Sequence, residues 1–141
     1  MPGKTLDQLE GVVWGEPTFD SYLVTTCHRL RTKPVDEFSV EDLRIMIGQK
    51  IGLTHLVPLA VAVLEREPLA EGDFYRGDLL ANVTGAVEWL QSNPEWLARV
   101  IRVTERACVE LAEEADRDLW QRLAEFLSRV RGYLKEPGWE S

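Results

Sequence analysis

Apolar and polar side chains follow one another along the chain with the three- and four-residue spacing of helices. Near the start, Thr5 and Gln8 form the pattern of a capping box, which predicts a short helix ended by nearby glycines and a proline. A second helix is predicted from Thr18 to Arg31, and Pro34 closes it. Its predicted apolar stripe consists of Phe19, Tyr22, Leu23, Cys27 and Leu30.

Two helices are predicted in the middle of the sequence. Ser39 is the expected N-cap of the first, with Asp42 three residues later. The second, Leu53 to Leu64, is apolar nearly all round, which is typical of a helix buried centrally. Pro58 is expected near its first turn, where a missing N–H costs little. A strand over "LAVAVL" is the alternative, but no other segment offers a strand to pair with it.

The second half of the chain carries three further helical stripes. Asp78 is the expected N-cap of the first, which continues to Leu90. Asn93-Pro94 marks the next helix start, and a polar break separates that helix from a last stripe that ends before Pro137. The predicted fold is all-α: one domain over residues 1–141, a bundle of about six helices, with 1–16 and 136–141 less ordered.

Composition and charge reduce the number of function classes that this protein can belong to. Hydrophobic residues make up 45% and charged residues 28% of the chain, as in ordinary globular proteins. The net charge of −8 argues against direct nucleic-acid binding, which needs clustered Lys and Arg, and suits a basic protein partner. No apolar run reaches the roughly 18 to 20 residues of a membrane helix, and no signal peptide is recognisable. We therefore expect a cytoplasmic protein without a membrane partner.

Residues that carry catalytic or metal chemistry are sparse. Cys27 and Cys108 lie among apolar neighbours and are interpreted as small buried thiols. The two histidines, His28 and His55, are too few and too scattered for a metal site. The sequence contains no CxxC, HExxH, GxGxxG or GxxxxGK[ST] motif. None of these residues indicates a catalytic or metal site.

The segment "EGDFYRGDLL", residues 71–80, combines two Gly-Asp pairs with aromatic residues and an arginine. In a structural interpretation, Gly72 ends the central helix at positive φ, and Asp73 caps a turn whose Phe74 and Tyr75 rings cover the core. In a functional one, Tyr75 and Arg76 are interface anchors. An integrin-binding Arg-Gly-Asp tripeptide is disfavoured by the expected cytoplasmic location. A hydrolytic set of Glu71, Asp73, Asp78 and His55 lacks a visible nucleophile.

Three segments in one order resemble the immunity proteins of contact-dependent growth inhibition systems. They are "WGEPTFDSYLVTTCHRLRTKP", "FSVEDLRIMIGQKIGLTHLVPLAVAVL" and "PLAEGDFYRGDLLANV", and the resemblance covers Trp14 to Val83. It implies a bacterial cytoplasmic protein that binds and neutralises the C-terminal toxin domain of a cognate effector, without enzymatic activity or a cofactor. Many such toxins are nucleases with basic clefts, which an acidic inhibitor fits. The alternative is a small helical adaptor or regulatory protein with an endogenous partner.

Two acidic surfaces and one tryptophan are candidates for toxin contact, although a solvated helix end is the simpler interpretation of each acidic run. One surface surrounds the central turn and begins at Glu65. The other lies between the last two long helices and extends from Glu110 to Asp118. Trp120 lies off the last apolar stripe, where it is either an exposed anchor or packed on a neighbouring helix. The candidate toxin-binding residues are Glu67, Glu71, Asp73, Tyr75, Arg76, Glu113, Glu114, Asp116 and Trp120.

Overall fold

The computed structural model describes residues 3–18, 21–114 and 117–132. Within these ranges the chain forms eight α-helices and a 3-10 turn, Val35–Glu37, and no strand, so the predicted all-α fold is confirmed. No helix in this described part is both long and apolar enough to cross a membrane. The helices are α1 (Leu6–Glu10), α2 (Tyr22–Leu30), α3 (Val40–Gly48), α4 (Leu53–Arg66), α5 (Asp78–Gly85), α6 (Val87–Gln91), α7 (Pro94–Leu111) and α8 (Arg117–Arg131).

Local sequence signals set several of the helix starts as predicted. The Thr5 hydroxyl accepts the N–H of Gln8, and the Gln8 side chain accepts the N–H of Thr5, which completes the capping box of α1. Ser39 and Asp42 make the same reciprocal pair at the start of α3. Pro94 occupies the first position of α7, where its missing N–H is not needed. These caps satisfy donors that a helix cannot satisfy internally.

The helix count exceeds the expected six mainly because the stripe that was predicted as one helix from Asp78 to Leu90 is broken. Ala86 adopts φ −87° and ψ 49°, which separates α5 from α6. The apolar spacing continues across this break, so periodicity alone does not reveal it. The expectation for Pro58 was wrong as well, because α4 begins at Leu53 and places the proline inside the helix. The N–H that Pro58 lacks would have bonded the carbonyl of Thr54, a residue exposed to solvent.

The core is organised around α4. This helix contacts α3, α5 and α7, and α8 packs across α5 and α7. Its buried face belongs to one continuous cluster of buried apolar side chains that extends from α1 to α8. Only part of the stripe predicted for α2 joins that cluster, since Cys27 and Leu30 are buried whereas Tyr22 and Leu23 are exposed. Phe19, the first member of that stripe, lies outside the described residues.

Arg31, directly after α2, fixes the N-terminal segment to the bundle. Its side chain is 1% exposed, and its Nε donates to Asp7 Oδ1 at 2.8 Å. The same guanidinium lies 2.6 Å from Glu10 Oε1, donates to the Val12 carbonyl, and stacks 4.5 Å from the ring centroid of Trp14. Residues 7–14 therefore wrap around one buried cation.

Two neighbouring carboxylates in the first turn of α3 should make stability depend on acid pH. Burial raises the pKa of Asp42, but hydrogen bonds from Lys33 and Ser39 outweigh it, and the net shift is downward. The hydrogen bond from Arg44 likewise lowers the pKa of Glu41. A depressed native pKa stabilises the fold above the unfolded value, about 4, and this contribution disappears as pH falls through the native value.

We therefore expect the free energy of unfolding, measured with urea, to fall as pH is lowered from 5 to 2. In Asp42→Asn that dependence should be shallower, because one of the carboxyl groups with a lowered pKa is gone. Asp36→Asn, which removes an exposed carboxyl group nearby, is the matched control and should retain the slope of the unmodified protein. Identical slopes in all three proteins would show that Asp42 makes no such contribution.

Candidate functional site

The loop between α4 and α5 is organised by the carboxylate of Asp78. This side chain is 2% exposed and accepts the backbone N–H groups of Gly72 at 2.6 Å, Phe74 at 3.0 Å and Tyr75 at 3.3 Å. The expectation that Asp78 is an N-cap was wrong, since Gly77 is the N-cap of α5 and Asp78 is its first residue. The side chain turns back toward the preceding loop. Its burial also removes the carboxylate that an Arg-Gly-Asp ligand would have to present.

Two residues of α3 hold the loop from its other side. Glu41 Oε1 accepts the backbone N–H of Asp73 at 2.8 Å, and Arg44 donates to both oxygens of Glu41, at 2.6 and 2.5 Å. The Arg44 guanidinium also lies 3.7 Å from Asp78 and 4.0 Å from the ring centroid of Phe74. The hydrogen bond to Glu41 raises the pKa of Arg44, so the pair stays charged. Glu41 and Asp78 thus bind four successive N–H groups, residues 72–75.

Sequence reasoning did not single out Glu41 and Arg44. The available signal was their position in "EDLRIMIGQ", which belongs to the same resemblance as "EGDFYRGDLL". Nothing in local spacing connects the two segments, because the Glu41–Asp73 hydrogen bond spans 32 positions. Only the tertiary fold brings them together.

The structural interpretation of this loop was wrong in several details. Helix α4 ends at Arg66, and Gly72 is not among the residues at positive φ. The left-handed position is Gly77, at φ 91°, where an added Cβ would come within 2.6 Å of Leu119 Cδ2. Asp73 caps no turn. The rings of Phe74 and Tyr75 do not cover the core, since they are 71% and 36% exposed.

Tyr75 and Arg76 point away from α3 toward α7 and α8. Arg76 forms an ion pair with Glu114 and lies 3.7 Å from Glu110. The hydrogen bond to Glu114 is the main cause of the raised pKa of Arg76, and the charge of Glu67 contributes to it. We call Glu67, Arg76, Glu110 and Glu114 the Arg76 cluster. The Tyr75 hydroxyl accepts a hydrogen bond from Arg122 of α8 at 3.0 Å. The two acidic surfaces that the sequence predicted separately therefore meet at Arg76.

The remaining predicted residues are distributed more widely. Glu65 of α4 pairs with Arg99 at 2.6 Å, and this hydrogen bond lowers the pKa of Glu65, which faces a locally basic stretch of α7. Trp120 is half-buried against the core with Arg117 over its ring, which favours packing over an exposed anchor. Asp116 lies outside the described residues. Four further candidate carboxylates are exposed, namely Glu71, Asp73, Glu113 and Asp118.

A groove of about 370 Å³ lies on the α3 side of the loop. Tyr22, Leu23 and Phe74 line it together with Arg44 and Asp73, whereas His55, Glu71 and Asp78 do not. The carboxylates and histidine that a hydrolytic site would need are therefore not gathered in this groove. No group of three or more His, Cys, Asp or Glu side chains within the described ranges is arranged to hold a metal ion.

Comparison with known proteins supplies one match. The sequence model of a family described as CDI immunity proteins matches residues 8–100, about two-thirds of the 141 residues. The matched region includes α2 to α6, the loop and its supports Glu41 and Asp78, but it ends before Glu110 and Glu114. No curated protein matches the chain.

Proposed function

We propose that this chain, which belongs to the family of CDI immunity proteins, binds and neutralises the toxin domain of a cognate contact-dependent growth inhibition effector. It acts by stoichiometric binding in the cytoplasm, without catalysis and without a cofactor. The family match over residues 8–100 is the observation that carries the proposal. The toxin domain is the C-terminal part of the delivered effector, so the partner is a protein and not nucleic acid.

Charge supports a basic partner, for which a nuclease is the best candidate. The chain carries a net charge of −8. The Arg76 cluster contains three carboxylates and one guanidinium. Its ion-paired side chains are about two-fifths to one-half exposed. Complementary charge speeds the encounter of two proteins, and close contacts slow their separation.

The loop gives this surface a fixed shape. The backbone N–H groups of residues 72–75 are bound by Glu41 and Asp78, and Arg122 holds the Tyr75 hydroxyl. A surface that is already ordered loses little conformational entropy on binding. We therefore place the toxin contact on Tyr75 and the Arg76 cluster, with Glu71, Asp73 and Glu113 at its margin.

A calorimetric titration tests the function directly. The probe is the toxin domain encoded immediately upstream of this chain's gene, titrated into the protein at two salt concentrations. We expect one-to-one binding with a Kd on the order of nanomolar that weakens at the higher salt concentration. No binding would overturn the proposal and leave the helical adaptor with an endogenous partner as the hypothesis to pursue.

Charge reversal tests the assigned surface. We expect Glu110→Lys with Glu114→Lys to weaken toxin binding about tenfold or more and to reduce its salt dependence, because the cluster becomes net positive. Glu88→Lys with Glu95→Lys is the matched control, since it changes the net charge equally at two other exposed sites. Glu95 lies about 22 Å from Glu110 along the axis of α7. Equal losses in both double variants would assign the effect to net charge alone.

A further inference from the structure

The groove beside the loop carries a concentration of exposed apolar side chains. Within the described ranges eight large hydrophobic side chains are exposed, and three of them line this groove: Tyr22 at 79%, Phe74 at 71% and Leu23 at 41%. Clustered apolar exposure at a concave site is a common mark of an interaction surface. Isolated exposed residues such as Val109 need no such explanation.

We propose that this groove is a second contact surface for the toxin, distinct from the Arg76 cluster, and that it takes an apolar toxin side chain flanked by a lysine or arginine. The inference rests on the proposed function, since the toxin is the committed occupant. It concerns residues for which the sequence predicted roles in the core, namely Tyr22, Leu23 and Phe74. It therefore adds an apolar component to an interface so far argued from charge.

The Phe74 side chain is held in place before any partner arrives, and Tyr22 stands on an ordered helix start. The Phe74 ring stacks on the Arg44 guanidinium at 4.0 Å, and the Phe74 N–H is bound by Asp78. Tyr22 is the first residue of α2, whose N-terminus is capped by the Ser21 hydroxyl. Rigid, exposed aromatic side chains are typical anchors of protein interfaces.

Charge within the groove favours a cation beside the apolar side chain. Arg44 is neutralised by its two-pronged contact with Glu41, which leaves Asp73 as the excess charge of the lining. A second copy of this chain is a poor occupant, because two molecules of net charge −8 repel each other. A basic partner complements the negative charge of the groove lining and of the whole chain.

The loop connects the groove with the Arg76 cluster. Phe74 lines the groove and contacts Arg44, while its neighbours Tyr75 and Arg76 contact α8 and α7. A partner that contacts the loop on both sides therefore binds the groove and the Arg76 cluster at the same time. The two contributions differ in kind, because salt screens the ionic one and leaves the apolar one nearly unchanged.

The test is the double variant Tyr22→Ala with Phe74→Ala, titrated with the upstream-encoded toxin domain at low and high salt. We expect its Kd to rise about 30-fold or more, by the same factor at both salt concentrations. Val13→Ala is the matched control, since Val13 is also 79% exposed but does not line the groove. Unchanged circular dichroism and urea midpoint would show that the variants fold.

The outcomes separate this inference from the proposed function. If the unmodified protein binds the toxin and the double variant binds equally well, the groove is not a toxin contact although the function stands. If the unmodified protein does not bind, both proposals fall together, and this is seen before any variant is made. Hydroxyl-radical footprinting of the complex gives an independent readout, in which Tyr22 and Phe74 should be protected. A dimer of the unmodified protein that the double variant loses in sedimentation would instead make the groove a self-interface and overturn the proposal.

Discussion

Asp78→Asn should lower the free energy of unfolding by about 2–3 kcal/mol and loosen the loop before α5. The Asp78 carboxylate is nearly inaccessible to water and accepts three backbone N–H groups through its two oxygens. An asparagine has one acceptor oxygen, so its amide group must turn a donor toward at least one of those N–H groups. The free energy follows from urea unfolding, and the loosening from faster hydrogen exchange at residues 72, 74 and 75.

Asp73→Asn is the appropriate comparison for this prediction. It makes the same chemical change on the same loop, but the Asp73 side chain is exposed and the loop uses only its backbone N–H. Its effect on stability should remain within about 0.5 kcal/mol. Equal stability of the two variants, with unchanged exchange at residues 72, 74 and 75, would show that Asp78 does not organise the loop. Toxin binding should be weaker in Asp78→Asn, because the partner would have to order the loop itself.

Arg31→Met should lower the free energy of unfolding by about 3 kcal/mol or more. The change keeps the apolar stem but removes the charge that Asp7 and Glu10 approach at 2.8 and 2.6 Å. Asp7 would then be largely buried without a charged partner, and residues 7–14 would lose their contacts with the Arg31 side chain. Urea unfolding measures the loss of stability, and limited proteolysis should cleave the loosened segment.

Arg29→Met controls for this effect, because Arg29 lies near the end of α2, two residues before Arg31, but is exposed. It should change stability by about 0.5 kcal/mol or less and leave the N-terminal segment resistant to protease. Similar behaviour of Arg29→Met and Arg31→Met would refute the role of the buried cation. Adding Asp7→Asn to Arg31→Met should restore part of the stability, since it removes the unpaired charge.

Sequence reasoning succeeded where neighbouring residues decide the outcome. The capping boxes at Thr5 and Ser39 and the Pro94 helix start depend on contacts within three or four positions, and all three formed as predicted. Asp78 shows the limit of such rules. An aspartate before an apolar run has the same local signature whether it caps its own helix or binds the preceding loop.

The candidate site depended on contacts that a one-dimensional pattern does not contain. The pairing of Arg76 with Glu114 spans 38 positions, and it joined two acidic surfaces that the sequence presented as separate. Helical spacing also assigned Tyr22 to the core, because an aromatic residue at the right interval looks the same whether it faces the bundle or solvent. Tyr22 is 79% exposed, and only the packing of the helices determines which of the two occurs.

The four hydrogen bonds that Glu41 and Asp78 accept from the loop all come from main-chain N–H groups. Any amino acid except proline supplies such a group. The path of the backbone is thus largely independent of which side chains stand at positions 73, 74 and 75. Those side chains can therefore be exchanged while the backbone beneath them keeps its path. Under the proposed toxin contact, the loop is accordingly the place to graft residues that fit a different toxin.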